Sequence, residues 1–214
     1  MSSEYTGDVV TGGEPAVRDL GDGLTLTKVS VGPMDNNAYL LRAATGEQLL
    51  IDAANDAGTL LALIGPAGLR AVVTTHRHAD HWQALEEVVK ATGAESLAHA
   101  DDASGIPVVT RTLLDDDSVE VGGHTLDVIH VVGHTPGSIV LSYRGEHLFT
   151  GDSLFPGGHG RTASPENHHQ IMDDLEARVF GRFGDTTWFY PGHGKDSTLG
   201  AERPDLQEWR ARGW

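Results

Sequence analysis

The segment Thr75-His76-Arg77-His78-Ala79-Asp80-His81 packs three imidazoles and a carboxylate into six positions directly behind the apolar run Ala71-Val72-Val73. A β-branched run such as Val72-Val73-Thr74 is strand-like, and in the loop after a strand, side chains two apart can turn toward one point outside the sheet. His76 and His78 form such a pair. Asp80 and His81 come slightly later, where the amphipathic segment Trp82 to Lys90 begins, within reach of a second point nearby. A lone histidine at a strand end is ordinarily a partly exposed polar residue. Four ligand-type residues spaced H-x-H-x-D-H between a strand and a helix read instead as a metal cradle. Neutral imidazole with carboxylate suits zinc, iron or manganese better than calcium or magnesium.

The chain contains no cysteine, which excludes disulfides, thiolate nucleophiles and cysteine-based zinc or iron–sulfur sites. Side-chain metal ligands are therefore His, Asp or Glu. A formal net charge of −16 argues against a phosphate-tracking surface and against nucleic acid as a partner. An anionic substrate needs a local positive site, part of which bound cations supply. No window approaches the roughly 18 apolar residues of a membrane span, and Met1 to Leu20 contain no apolar core of signal-peptide length. These features predict a cytoplasmic protein with no membrane partner. With 214 residues and no linker, low-complexity tract or repeat, a single domain over 1–214 is expected.

Leu24 to Val31 alternates apolar and polar residues as a half-buried strand does, and Ala38 to Leu41 and Gln48 to Ile51 form two further apolar runs around Thr45-Gly46. Asp56 caps an expected helix from Ala57 to Ile64, stopped by Gly65-Pro66, and Leu69 to Thr75 returns as a strand. After the cluster come a helix from Trp82 to Ala91 and short strands at Ser96 to Ala98 and Pro107 to Thr110. A hairpin at Gly122-Gly123 leads to strands at Thr125 to Val131, Ser138 to Tyr143 and His147 to Thr150. Pro165 opens a helix from Glu166 to about Val179, and Thr186 to Tyr190 is the last expected strand. Strands dominate both halves, with helices between only some of them. This order fits a two-sheet α/β sandwich better than a doubly wound parallel sheet, which needs a helix after nearly every strand.

Two metals some 3.5 Å apart require about seven protein ligands, and the cluster offers four. Three later segments repeat the pattern of a strand followed by a Gly-rich turn carrying a ligand-type residue: His134 in Gly133-His134-Thr135-Pro136-Gly137, Asp152 after Thr150-Gly151, and His193 in Pro191-Gly192-His193-Gly194. The other histidines, His99, His124, His130, His147, His168 and His169, lack this context and read mostly as structural or surface residues. His159, in Gly157-Gly158-His159-Gly160-Arg161, lies seven residues after Asp152 and is a candidate pocket residue.

In order and spacing these motifs resemble those of the metallo-β-lactamase superfamily, from about Pro33 to Arg203. Asp35-Asn36-Asn37-Ala38-Tyr39, Leu154-Phe155 and Gly160-Arg161-Thr162 are more narrowly similar to the glyoxalase II (hydroxyacylglutathione hydrolase) branch. The resemblance implies a four-layer αββα sandwich with the site at one edge of the two sheets. Carried over by position, it implies that His76, His78 and His134 bind one metal and Asp80, His81 and His193 a second. Asp152 then bridges both, and Asp52 supports the site from behind. Two divalent ions are implied, zinc first, with iron and manganese as alternatives.

The chemistry implied is hydrolysis, probed first with thioesters such as S-2-hydroxyacylglutathione, by a hydroxide held between two metals that lower its pKa to near 7. Asp80 and Asp152 are the catalytic carboxylates of this scheme. No Ser or Cys nucleophile is needed, in keeping with the lack of Cys and of any G-x-S-x-G elbow. Aspartate at position 152 disfavours β-lactam hydrolysis, since true β-lactamases of this fold usually carry another residue there. Lactonases share the whole ligand set and stay open, as does a persulfide dioxygenase with one iron on residues matching His76, His134 and Asp152. Only 21 residues follow His193, where the long glyoxalase form adds a helical glutathione-gripping domain, so the tail is more like short, single-domain relatives. Arg161, Lys195 and Arg203 are the basic residues close enough to the motifs to meet a substrate carboxylate. The expected partner is thus a small molecule, and monomer and homo-oligomer are left undecided.

Overall fold

Where the chain switches from hairpins to helical crossovers decides which strand ends meet. In a computed structural model describing residues 5–213, thirteen strands among the described residues form two sheets, of seven and six strands. Residues 1–4 and 214, included in the single-domain expectation, lie outside the described residues. The first sheet opens with four antiparallel strands, β1 (Ala16–Asp19), β2 (Leu24–Val31), β3 (Asn36–Ala43) and β4 (Gln48–Ile51). It continues parallel through β5 (Ala71–Val73), β6 (Glu95–His99) and β7 (Arg111–Leu113). Parallel neighbours cannot be joined by a tight turn. Helices α1 (Ala57–Ile64), α2 (Leu85–Thr92) and α3 (Ala100–Ala103) accordingly occupy those three connections.

The second sheet is a meander of β8 (Ser118–Val121), β9 (His124–His130), β10 (Ile139–Tyr143) and β11 (His147–Gly151). Helix α4 (Pro165–Asp174), continued by a wider π-type segment at Leu175–Phe180, carries the chain to β12 (Trp188–Pro191), which pairs parallel to β11. The two-residue β13 (Ser197–Thr198) closes that edge, followed by α5 (Leu199–Glu202) and α6 (Leu206–Arg212).

Period-two alternation sends each strand's apolar residues to two different cores. Leu24 and Leu26 of β2, Tyr39 and Leu41 of β3, and Val73 of β5 meet Leu126, Leu141, Phe149 and Tyr190 between the sheets. The opposite parity, with Val29, Val31, Leu40, Leu50 and Val72, packs under Leu60 of α1 and Leu85 and Val88 of α2. On the far side, Ile129, Val140, Leu148 and Phe189 pack against Ile171 of α4 and Trp209 of α6. The result is the expected four-layer αββα sandwich. Its second consequence is positional: β4, β5, β6, β9, β11 and β12 all end toward one edge, where ligands bind in open α/β sheets.

The elements differ from the expectations in places with identifiable causes. The Trp82-to-Ala91 helix starts only at Leu85, because Gln83 and Ala84 spend their amides on the carbonyls of Ala54 and Ala53, and Ala79–His81 form a separate 3-10 turn. Pro107 to Thr110 is not a strand. Ser96 holds that segment by its hydroxyl, which donates to the Val108 carbonyl, and by its amide and carbonyl, which bond to the Thr110 hydroxyl and amide, while the ladder with β6 begins at Arg111. Thr186 to Tyr190 is seen as β12 but is not the last strand, since β13 follows it. Strand β1, at the sheet edge, and the helices α5 and α6 are too short or too polar to leave a periodic signal.

Candidate metal centre

The cluster is built from the loop after β5. Thr75 anchors it: its amide and hydroxyl both donate to Asp52, at 2.7 and 2.8 Å. Because that hydroxyl's proton is committed to Asp52, its oxygen accepts from His76 Nδ1 at 3.1 Å, leaving Nε2 of His76 as the free nitrogen. Asp52 also accepts from His81 Nδ1 at 2.8 Å, which turns Nε2 of His81 inward. His134 Nδ1 donates to the Arg161 carbonyl (2.7 Å) and His193 Nδ1 to the Met34 carbonyl (3.0 Å). Each outer bond fixes a tautomer whose other nitrogen bears a lone pair.

Those inward atoms fall into two triads. His76, His78 and His134 have ligand atoms within 4.8 Å of one another, and so do Asp80, His81 and His193. In the first, His78 Nδ1 stands 2.9 Å from His134 Nε2. In the second, Asp80 Oδ2 is 3.2 Å from His193 Nε2 and 3.5 Å from His81 Nε2, and it accepts from the Asn36 amide at 2.9 Å. Asp152, from the end of β11, faces both. Its Oδ2 is 3.7 Å from His134 and from His193 and 3.9 Å from His76, while Oδ1 is 3.3 Å from His81.

A cation fits this geometry on two counts. His76 Nε2, His81 Nε2 and Asp152 Oδ1 are buried without a hydrogen-bond partner, a costly arrangement that ligation relieves. The charges also demand it. Burial pulls the His81 imidazole down, but the carboxylates of Asp52 and Asp152 outweigh it and hold the group up at about 10. The pocket thus draws positive charge, as a proton or as a metal. Burial would raise the Asp152 carboxyl, yet the surrounding imidazoles of His81, His193 and His134 keep it below its ordinary value. His76 is pushed well down, by burial first and then by the neighbouring imidazoles, so it offers a neutral nitrogen.

The remaining expected residues divide. Arg161, exposed, lines a cavity of 460 Å³ with His78, His134, Thr162 and Ala163. Among the described residues its guanidinium pairs with no carboxylate. His159 instead meets His168 Nδ1 at 2.8 Å and the Gly160 carbonyl, and is not among the residues of that cavity's wall. Lys195 is exposed and lies 3.2 Å from Asp8. Arg203 clamps Asp185 and the Phe180 and Phe183 carbonyls and so serves the fold. His99 and His130 stack face to face at 3.8 Å, and with Asp101 they form a further His/Asp group whose ligand atoms lie within 4.8 Å of one another, apart from the two triads. Two residues near the centre escaped the sequence reading as contributors. Asn36 carried a signal within Asp35-Asn36-Asn37, but Asp102, buried on the short α3, carried none.

Fold and site together define a class of αββα proteins that gather His and Asp side chains from both sheets at one edge and are suited to divalent metals. The Metallo-beta-lactamase superfamily model matches residues 31–193. A hydroxyacylglutathione hydrolase of Fuscovulum blasticum is 42% identical over 130 residues, 59% of this chain and 51% of that protein. The chain spans about half the length of the first such curated relatives. Among solved structures, ETHE1 from Myxococcus xanthus is 29% identical with a TM-score of 0.75, covering 87% of this chain and 84% of that one. TTHA1623, solved in a di-iron-bound form, is 30% identical with a TM-score of 0.70, covering 82% and 96%. The chain belongs to the metallo-β-lactamase superfamily.

Proposed function

We propose that the protein is a dinuclear metallo-hydrolase acting on thioesters of the hydroxyacylglutathione type, with residues 1–214 working as one domain in the cytoplasm. His76, His78 and His134 hold one metal, Asp80, His81 and His193 the other, and Asp152 reaches both. The observation that carries this is the position of the Asp152 carboxylate, with oxygens 3.3 to 3.9 Å from imidazole nitrogens of both triads. The hydrolase names of the relatives support the same reading. Divalent cations there, zinc first, supply hydroxide at neutral pH and polarise the scissile carbonyl.

The chain's own residues do the rest. Burial would raise the Asp80 carboxyl, but the Asn36 amide and then the adjoining His81 imidazole keep it below its ordinary value, so as a carboxylate it would ligate the second metal and accept a hydrogen bond from the attacking hydroxide. Asp52 holds His81 in register from behind, as carboxylates behind metal-bound histidines do. The guanidinium of Arg161, which pairs with no carboxylate among the described residues, would meet a substrate carboxylate at the cavity's wall, offsetting the acidic character of the chain locally.

A second reading has one specific support: His76 and His134 both face Oδ2 of Asp152, the set matching a one-iron persulfide dioxygenase. Metal analysis of the purified protein with a thioester panel that includes S-lactoylglutathione separates the two. Two metals per chain with thioester turnover are expected. One tightly held iron, with oxygen consumed on glutathione persulfide, overturns the hydrolase.

A further inference from the structure

The Asp102 side chain is fully buried, yet among the described residues only the Arg77 guanidinium, 3.8 Å from Oδ1 at its Nε, stands near it as a counter-charge. Its partners are instead loop groups of the metal centre. Oδ2 accepts from the Arg77 amide at 2.9 Å and from the Thr135 hydroxyl at 2.6 Å, and Oδ1 accepts from the Gly137 amide at 2.9 Å. The Arg77 amide lies between His76 and His78, and Thr135 and Gly137 follow His134. One carboxylate therefore ties together the two loops that carry the first triad, which are 56 residues apart at His78 and His134. The contact leaves no slack. A Cβ on Gly137 would stand 2.6 Å from the Asp102 amide nitrogen and 2.8 Å from its Cβ.

The second triad is held differently, by Asp52 on His81, Asn36 on Asp80 and the Met34 carbonyl on His193. We propose that Asp102 is a positioning residue that sets the spacing of His76, His78 and His134, and hence the metal affinity of that triad alone. This rests on the metal-binding reading above but not on there being two metals. Asp102→Asn keeps the shape while replacing one acceptor by an N–H group that faces other donors. Thr135→Val removes the bond to Asp102 together with one to the Ser138 hydroxyl at 2.6 Å, and Thr135→Ser restores both.

The test is zinc affinity, by competition with a chromophoric chelator, in two backgrounds. With His193→Ala, where the first triad stays complete, Asp102→Asn raises the dissociation constant by about ten- to a hundredfold. With His78→Ala, where the second stays complete, it leaves affinity unchanged. Thr135→Val, which spares the buried charge, gives the same selectivity to a smaller degree, with rescue by Thr135→Ser. Equal weakening in both backgrounds, or none in the first, overturns the proposal. Should the unsubstituted chain take one equivalent of metal, the dinuclear reading falls, and Asp102→Asn must still weaken that one. Should it take none, both fall.

Discussion

Gly192 shows how little room the centre allows. A Cβ there would lie 2.1 Å from Asp152 Oδ1 and 2.5 Å from a His81 ring carbon, so a methyl group would sit where a ligand atom and a cation must. Gly192→Ala should lose metal while keeping the fold, read as reduced metal content with an unchanged far-ultraviolet circular dichroism spectrum. Asp152→Ala should lose metal from both triads and abolish turnover, measured by metal analysis and a thioester assay. Residues of this kind were legible because the ligand-type side chains come in the loops directly after strands, four of them in one cluster and three beside glycine turns, so that local spacing carries the message. Asp102 was not, since its role lies in bonds to Thr135 and Gly137, 33 and 35 residues away, and a polar residue on a one-turn helix has no periodicity.

At the scale of elements, α4 is specified by strong local chemistry. Ser164 caps it by accepting from the Asn167 amide at 3.2 Å, and Pro165 opens its first turn. Ser164→Ala should cost about 1 kcal/mol in chemical denaturation, with metal content unchanged because α4 supplies none of the proposed ligands. The buried strands β2, β4 and β9 and the helix α1 were readable from alternation and capping. The start of α2 was not, since Gln83 and Ala84 are drawn from the helix by backbone bonds to the carbonyls of Ala54 and Ala53. Such competition between distant backbone groups leaves no mark on composition.

Across the whole molecule, a buried ion pair and a buried imidazole bear on stability. Lys28 spans the sheets at one end of the inter-sheet core, its ammonium bonded to Asp196 at 2.6 Å, to the Gly194 carbonyl at 2.8 Å and to the Gly7 carbonyl at 2.6 Å, with both charged side chains fully buried. Burial pulls the ammonium down and the carboxyl up, and their attraction offsets part of each. Lys28→Met, which strands Asp196, should destabilise by about 3–5 kcal/mol in urea denaturation. His147, hydrogen-bonded to the Tyr190 hydroxyl, is lowered to about 4, by burial first and then by Arg18 and Arg144. The unfolded chain binds this proton at about 6.5, so the folded state loses stability as pH falls from there toward 4. Denaturation midpoints across that window should fall less steeply in His147→Gln; parallel slopes would disprove the assignment.

The backbone contact between Asn36 and His193, with Asn37 donating to the Gly192 carbonyl, also orders events in time. Asn36 and His193 are 157 positions apart, so the second triad closes only once the first and last strands of the centre have been made and docked. During synthesis the early cluster emerges with most of its imidazoles but without its last one. The proposed second triad is therefore a product of the finished pair of sheets, whereas His76 and His78 of the first lie on one short loop.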